Sequence, residues 1–115
     1  MTDLYKLTIA EVSALMTKKK VSPIEIMDSF LARSKSLENT LHVWVTLDED
    51  KARSDARHSL SELEKTGPRT PLHGIPIGIK DIYYTKGVAT TFGSPIYTDF
   101  VPKYDATSIA RLRRA

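Results

Sequence analysis

Lys80 is the residue whose type and setting point most directly to chemistry. It ends the run Pro71-Leu72-His73-Gly74-Ile75-Pro76-Ile77-Gly78-Ile79-Lys80 and is followed by Asp81. Read as a strand, residues 74–80 put Ile75, Ile77 and Ile79 on one face and Pro76, Gly78 and Lys80 on the other, because successive side chains alternate. The amine would emerge at a strand end beside positions with almost no side chain, leaving room for a substrate or a second stretch of backbone. An ammonium withdrawn from water gives up its proton more readily, and the neutral amine can act as a base or relay near neutral pH. The competing reading is a strand-end lysine that pairs with Asp81 or stands in solvent. Composition and spacing alone favour this plainer reading.

Neighbouring residues narrow the chemistry further. Glycines precede Lys80, but a phosphate loop needs a hydroxyl residue directly after the lysine and a helix opening there, and Asp81 follows instead. Ser94 lies in Gly93-Ser94-Pro95, where proline breaks the small-residue flank of a nucleophile elbow. Thr90, Thr91 and Ser94 therefore read as turn and backbone-bonding residues. His42, His58 and His73 fall on an expected strand, helix and loop without an acidic neighbour at metal-ligand spacing, so no metal is assigned. His73 reads as a brace for the loop before the strand. The absence of cysteine excludes a disulfide framework, a thiol nucleophile, a redox pair and a thiolate metal site. No cofactor is expected.

The elements that would position Lys80 are four helices, over about 8–20, 23–37, 48–66 and 105–115, and two strands, over about 41–47 and 74–80. Thr8 with Glu11, and Ser22 with Glu25, have the spacing of capping boxes, the second with Pro23 at the first helical position. Ile9, Val12, Leu15 and Met16 form the apolar stripe of the first helix, and Ile24, Met27, Phe30 and Leu31 that of the second. From Leu41 to Leu47 apolar and polar residues alternate, which predicts a strand. Asp48 is placed to cap a third helix with Ala52, Ala56, Leu60 and Leu63 inward, stopped by Gly67-Pro68. Asp105 is placed to cap a last helix from Ala106, with Ile109 and Leu112 inward. Between these lies 71–94, which holds four of the five glycines and so predicts a tightly turned region that other groups approach closely.

The 115 residues suit one domain, and 41% hydrophobic with 27% charged residues is the composition of an ordinary globular chain. Seventeen basic against fourteen acidic side chains leave a charge of +3. The basic clusters, Lys18-Lys19-Lys20 and Arg111, Arg113 and Arg114, lack interleaved aromatics, so nucleic-acid binding is disfavoured. The start, Met1-Thr2-Asp3-Leu4-Tyr5, is not that of a signal peptide, and no run is long enough to span a bilayer, which predicts a cytoplasmic, non-membrane protein. Arg113-Arg114-Ala115 has neither a glycine cap nor a polar tail, so the sequence reads as a piece of something longer.

Three segments in order carry a resemblance: Pro71 to Asp81, then Lys86-Gly87-Val88-Ala89-Thr90-Thr91-Phe92-Gly93-Ser94, then Asp105-Ala106-Thr107 leading to Arg111-Leu112. Together they resemble the N-terminal part of amidase signature enzymes, a group that includes general amidases and the A subunits of tRNA-dependent amidotransferases. The resemblance implies an α/β fold, a mixed sheet flanked by helices, of which residues 1–115 would be the N-terminal segment of a single amidase domain. It also implies a Ser–cisSer–Lys triad with Lys80 as the lysine, acting on C–N bonds of a small-molecule amide in the full-length enzyme. Both serines lie further along such chains, so this polypeptide is expected to be inactive alone. A second reading stays open, a non-catalytic interaction module derived from an amidase, with self-association through exposed apolar faces.

Overall fold

Two reciprocal capping boxes start the first two helices. The Thr8 hydroxyl accepts the Glu11 N–H at 3.3 Å, and the Glu11 carboxylate accepts the Thr8 N–H at 2.7 Å. Ser22 and Glu25 repeat the exchange at 3.2 and 2.8 Å, so amides that no helical carbonyl can reach are satisfied locally. The computed structural model describes residues 3–115 and contains four α-helices: α1 (Ile9–Thr17), α2 (Pro23–Leu41), α3 (Glu49–Thr66) and α4 (Thr107–Arg114). Leu4–Lys6 and Pro95–Tyr97 are short 3-10 turns. Met1 and Thr2, the first residues of the expected segment 1–115, lie outside the described residues. Asp48 caps α3 by accepting the Lys51 N–H at 2.9 Å, and Gly67, at φ +71°, ends it.

The mixed sheet is the main correction. The chain is 53% helical with no strand among the described residues, so the α/β reading does not hold for it. At 41–47 the reason is visible in the backbone. α2 continues through the polar run Ser34–Thr40 to Leu41, and His42 caps it in a left-handed conformation at φ 49°. Past His42, Val43 and Val45 are 61% and 65% exposed; Trp44 is the half-buried residue, its N–H donated to Glu38 Oε1 at 3.0 Å. Alternation decides which side chains share a face, but a ladder needs a second backbone to take its N–H and C=O groups. The segment 74–80 likewise forms no ladder: a turn over 71–74 leads into irregular backbone, and Ile77 is 56% exposed.

The described residues fall into two units, one within Met1–Pro76 and the other Ile77–Ala115. In the first, α2 packs on α3 and on the Leu4–Lys6 turn, and Val12, Ile26, Leu31 and Ala56 are buried. The inward stripe of α2 keeps Leu31 of the expected set, but Ile26, outside that set, is fully buried, while Phe30 is 37% exposed. His73 is buried and ties the loop after α3 back to it. Its Nδ1 accepts the Arg69 N–H at 3.2 Å, which puts the proton on Nε2 to be donated to Glu62 Oε2 at 3.2 Å. The Arg69 guanidinium, 2.9 Å from Glu62 Oε1, and then the His73 ring hold the Glu62 carboxyl below its ordinary value.

Gly74 follows His73 at φ +80°, and a Cβ there would lie 2.9 Å from Pro23 Cγ and 3.2 Å from Met16 Sδ. The thioether can move aside but the proline ring cannot. Gly74→Ala is expected to lower stability by about 2 kcal/mol, since left-handed backbone is disfavoured for residues with a Cβ and a filled site adds strain. Urea unfolding followed by circular dichroism checks this; an unchanged midpoint would mean the close approach does not exist in solution.

Candidate functional site

The unit that contains Lys80 is held together by turns. Thr90, 1% exposed, donates its N–H to Phe100 O at 2.9 Å, and Gly87 donates to Pro102 O at 3.1 Å. Asp105 accepts the Lys86 N–H at 2.7 Å and pairs with Arg113 Nε at 3.0 Å, which fastens the 86–87 turn to α4. The expected cap at α4 is therefore absent: Ala106 occupies the cap position without a side-chain bond, because the Asp105 carboxylate is directed elsewhere. Tyr84 gathers Phe92, Phe100 and Tyr104 around it at centroid distances of 6.2, 5.3 and 5.5 Å, within the range of favourable ring contacts.

Lys80 stands at the entrance to this network. Its carbonyl accepts the Ile82 and Tyr83 N–H groups at 2.8 and 3.2 Å, closing a tight turn, and its side chain is exposed. The neighbouring carboxylate is not its partner. Asp81 Oδ1 accepts the Thr91 N–H at 2.7 Å, Oδ2 accepts the Thr91 hydroxyl, and the Asp81 carbonyl accepts the Phe92 N–H at 3.0 Å. The Thr91 hydroxyl, the Thr91 N–H and the Gly93 N–H hold the Asp81 carboxyl below the ordinary aspartate value of 3.8.

A pH dependence follows from that direction. A carboxyl whose folded value is lowered stabilises the fold fully above its unfolded value, and the contribution disappears as pH falls through the folded one. The Thr91 and Gly93 amide resonances are expected to stay constant from neutral pH down through 3.8 and to shift only below it. Amide signals that titrate at or above that value in a two-dimensional NMR series would contradict the arrangement.

The sequence-predicted groups lie in different settings. Lys80 is accessible at a turn, not at a strand end, and the described residues do not by themselves withdraw it from water. Ser94 Oγ accepts the Ile96 N–H at 3.3 Å and starts the Pro95–Tyr97 turn. Thr90 donates its hydroxyl to the Tyr83 and Val88 carbonyls at 3.4 Å each. Tyr84 lies in the aromatic cluster, while Tyr83 is 44% exposed. The sequence reading missed the pairing of Asp81 with Thr91. The adjacent hydroxyl residues Thr90-Thr91 were the signal available for it. Among the described residues no three His, Cys, Asp or Glu side chains gather so as to hold a metal ion, and no helix is long and apolar enough to cross a membrane.

A family model described as Amidase matches residues 25–115, a range that takes in Lys80, Asp81 and Thr91. The chain belongs to the amidase family. It is 41% identical over 111 residues to the A subunit of glutamyl-tRNA(Gln) amidotransferase from Geotalea daltonii, a match covering 96% of this chain and 23% of that protein. With the protein of the same name from Halothermothrix orenii it shares 43% over 111 residues, 96% of this chain and 22% of the relative. With that of Roseiflexus sp. the identity is 36% over 115 residues, 100% and 23% respectively. The chain thus spans about a quarter of the length of the curated relatives it matches.

Proposed function

We propose that this chain supplies the lysine of a Ser–cisSer–Lys triad to an amide-cleaving enzyme, either an amidase or the A subunit of an amidotransferase. The observation that carries the reading is the family match across residues 25–115, with Lys80 at the end of the run Gly74-Ile75-Pro76-Ile77-Gly78-Ile79 and its amine left unpaired by Asp81. In the proposed cycle the neutral Lys80 amine takes a proton through the bridging serine. The second serine attacks the amide carbonyl, the C–N bond breaks, and the amine leaves with the returned proton while an acyl ester forms on the serine. Donors of a glycine- and serine-rich segment would stabilise the oxyanion. Neither serine of the triad belongs to these residues, so the chain alone is inactive. The relatives are, by name, subunits of an amidotransferase, and for this chain the corresponding partners are the other subunits of such a complex, in the cytoplasm.

The test compares this chain with a fusion that joins it to the part of the Geotalea daltonii protein following the matched 111 residues. Ammonia release from propionamide and benzamide is expected from the fusion and not, above buffer, from the chain alone. Stoichiometric acylation of Ser94 in the chain alone would overturn this reading. The exposure of Ile96 at 87% and Tyr104 at 65% favours a second reading, an interaction module that covers these residues by association. Sedimentation of the isolated chain as a monomer at all concentrations would dismiss it.

A further inference from the structure

Hydrogen bonds from two consecutive residues converge on Asp81. Thr91 contributes its N–H and its hydroxyl to the carboxylate, and Phe92 its N–H to the Asp81 carbonyl. The anion these donors take is the chain's own side chain, bound through the Thr91 N–H and hydroxyl. The turn is held in a conformation it would not choose. Phe92 is at φ +55° and Gly93 at +68°, and a left-handed phenylalanine persists only where its surroundings over-determine it. In the peptide that precedes Asp81, the Lys80 carbonyl closes the 80–83 turn through Ile82 and Tyr83. The residue that carries the amine therefore sits between two turns, and Asp81 is the covalent joint between them.

We propose that Asp81 is a positioning residue for Lys80: by gripping the 91–93 turn with its carboxylate and carbonyl, it fixes the backbone from which the amine projects. The inference rests on the reading of Lys80 as the triad lysine. In this arrangement the carboxylate is a structural anion inside the turn. Thr91 is its principal partner, giving one donor from the backbone and one from the side chain. Loss of the hydroxyl removes the bond to Oδ2 while leaving the backbone bond to Oδ1 in place, so Thr91 variants grade the grip without removing charge.

The experiment uses Asp81→Asn, Thr91→Val, Thr91→Ser and Lys80→Met in the fusion, with ammonia release from benzamide resolved into kcat and KM. A displaced catalytic group costs up to about 100-fold in rate for a 1 Å error. Asp81→Asn and Thr91→Val are accordingly expected to lower kcat by roughly 10- to 100-fold with KM within about twofold, and Thr91→Ser, which keeps the hydroxyl, to restore it. If Lys80→Met abolishes turnover while Asp81→Asn and Thr91→Val match the parent, the positioning role is wrong and the triad reading survives. If Lys80→Met retains turnover, the triad reading falls, and the positioning role with it.

A second measurement needs no activity. In this chain, amide hydrogen exchange in Asp81→Asn is expected to accelerate at Thr91 and Phe92 and, by at least tenfold, at Ile82 and Tyr83, whose amides report on the Lys80 carbonyl. Unchanged exchange at 82 and 83, with faster exchange at 91 and 92, would show that Asp81 holds its turn without fixing Lys80 and would overturn the proposal. Thr91→Ser should behave as the parent in the same measurement.

Discussion

Lys80→Met in the fusion is expected to lower kcat for benzamide by about 100- to 10,000-fold, the range over which a positioned proton-transfer group accelerates a reaction. Lys80→Arg is expected to fall as far. This second substitution separates two roles that methionine removes together. Arginine keeps the positive charge and the long apolar stem, so a lysine that merely balances charge or covers a surface would be replaced by it. A guanidinium does not release its proton at accessible pH, so it cannot draw one from a serine. Because Lys80 is exposed in this chain, neither change should alter folding of these residues by more than about 0.5 kcal/mol, the usual range for surface substitutions. KM should change little, since the group acts on a proton and not on substrate binding. Turnover by the arginine variant within threefold of the parent would sink the triad assignment.

The parts of this fold that are legible in the sequence are those whose cause is local. Thr8 with Glu11, Ser22 with Glu25, Asp48 and Gly67 each act within one turn of backbone, and each does in the structure what its spacing implies. The parts that are not legible depend on partners remote in sequence. The alternation of Leu41 to Leu47 describes a side-chain pattern, but whether it becomes a strand is decided by a neighbouring backbone that no local window contains. Asp105 has the local credentials of a helix cap, yet the Lys86 N–H, 19 residues away, takes one of its oxygens. The α2 stripe differs from the expected one at Ile26 and Phe30 because several apolar residues stand together in its first turn. Ile24, Ile26 and Met27 compete for the inner face, and packing on α3 selects Ile26.

The site divides along the same line. The role proposed for Lys80 is read from the ordered set of motifs around it. The destination of its neighbour is not, since Asp81 next to Lys80 reads as an ion pair in any sequence window. The structure breaks that pair through geometry. A carboxylate with a hydroxyl and a backbone N–H in fixed positions has better donors than a flexible, hydrated ammonium one residue away, whose capture would cost side-chain entropy for a modest gain at an exposed position. His73 differs in kind: its role as a brace follows from its place before a glycine, and Arg69 and Glu62 fill its two nitrogens.

Ile26→Ala is the substitution expected to damage the first unit most. Ile26 is fully buried on the helix that packs against α3, and truncating a buried isoleucine to alanine costs about 2–5 kcal/mol through lost transfer energy and the cavity left behind. Against a typical domain stability of about 5–15 kcal/mol, that is a large fraction of the whole. Ile26→Val should fall between, at about 0.5–1.5 kcal/mol, because one methyl is lost. Ile9→Ala is the control: Ile9 is 51% exposed at the start of α1, and alanine's better helix propensity offsets what contact is lost, so the change should stay within about 0.5 kcal/mol. Urea midpoints of the four proteins, read from helical ellipticity, distinguish the burial argument from a general intolerance of isoleucine loss. Equal effects at residues 9 and 26 would mean that the α2–α3 contact does not form the core in solution. The consequence would extend to the loop at Gly74, whose close neighbours are Pro23, three residues before Ile26, and Leu63 of α3.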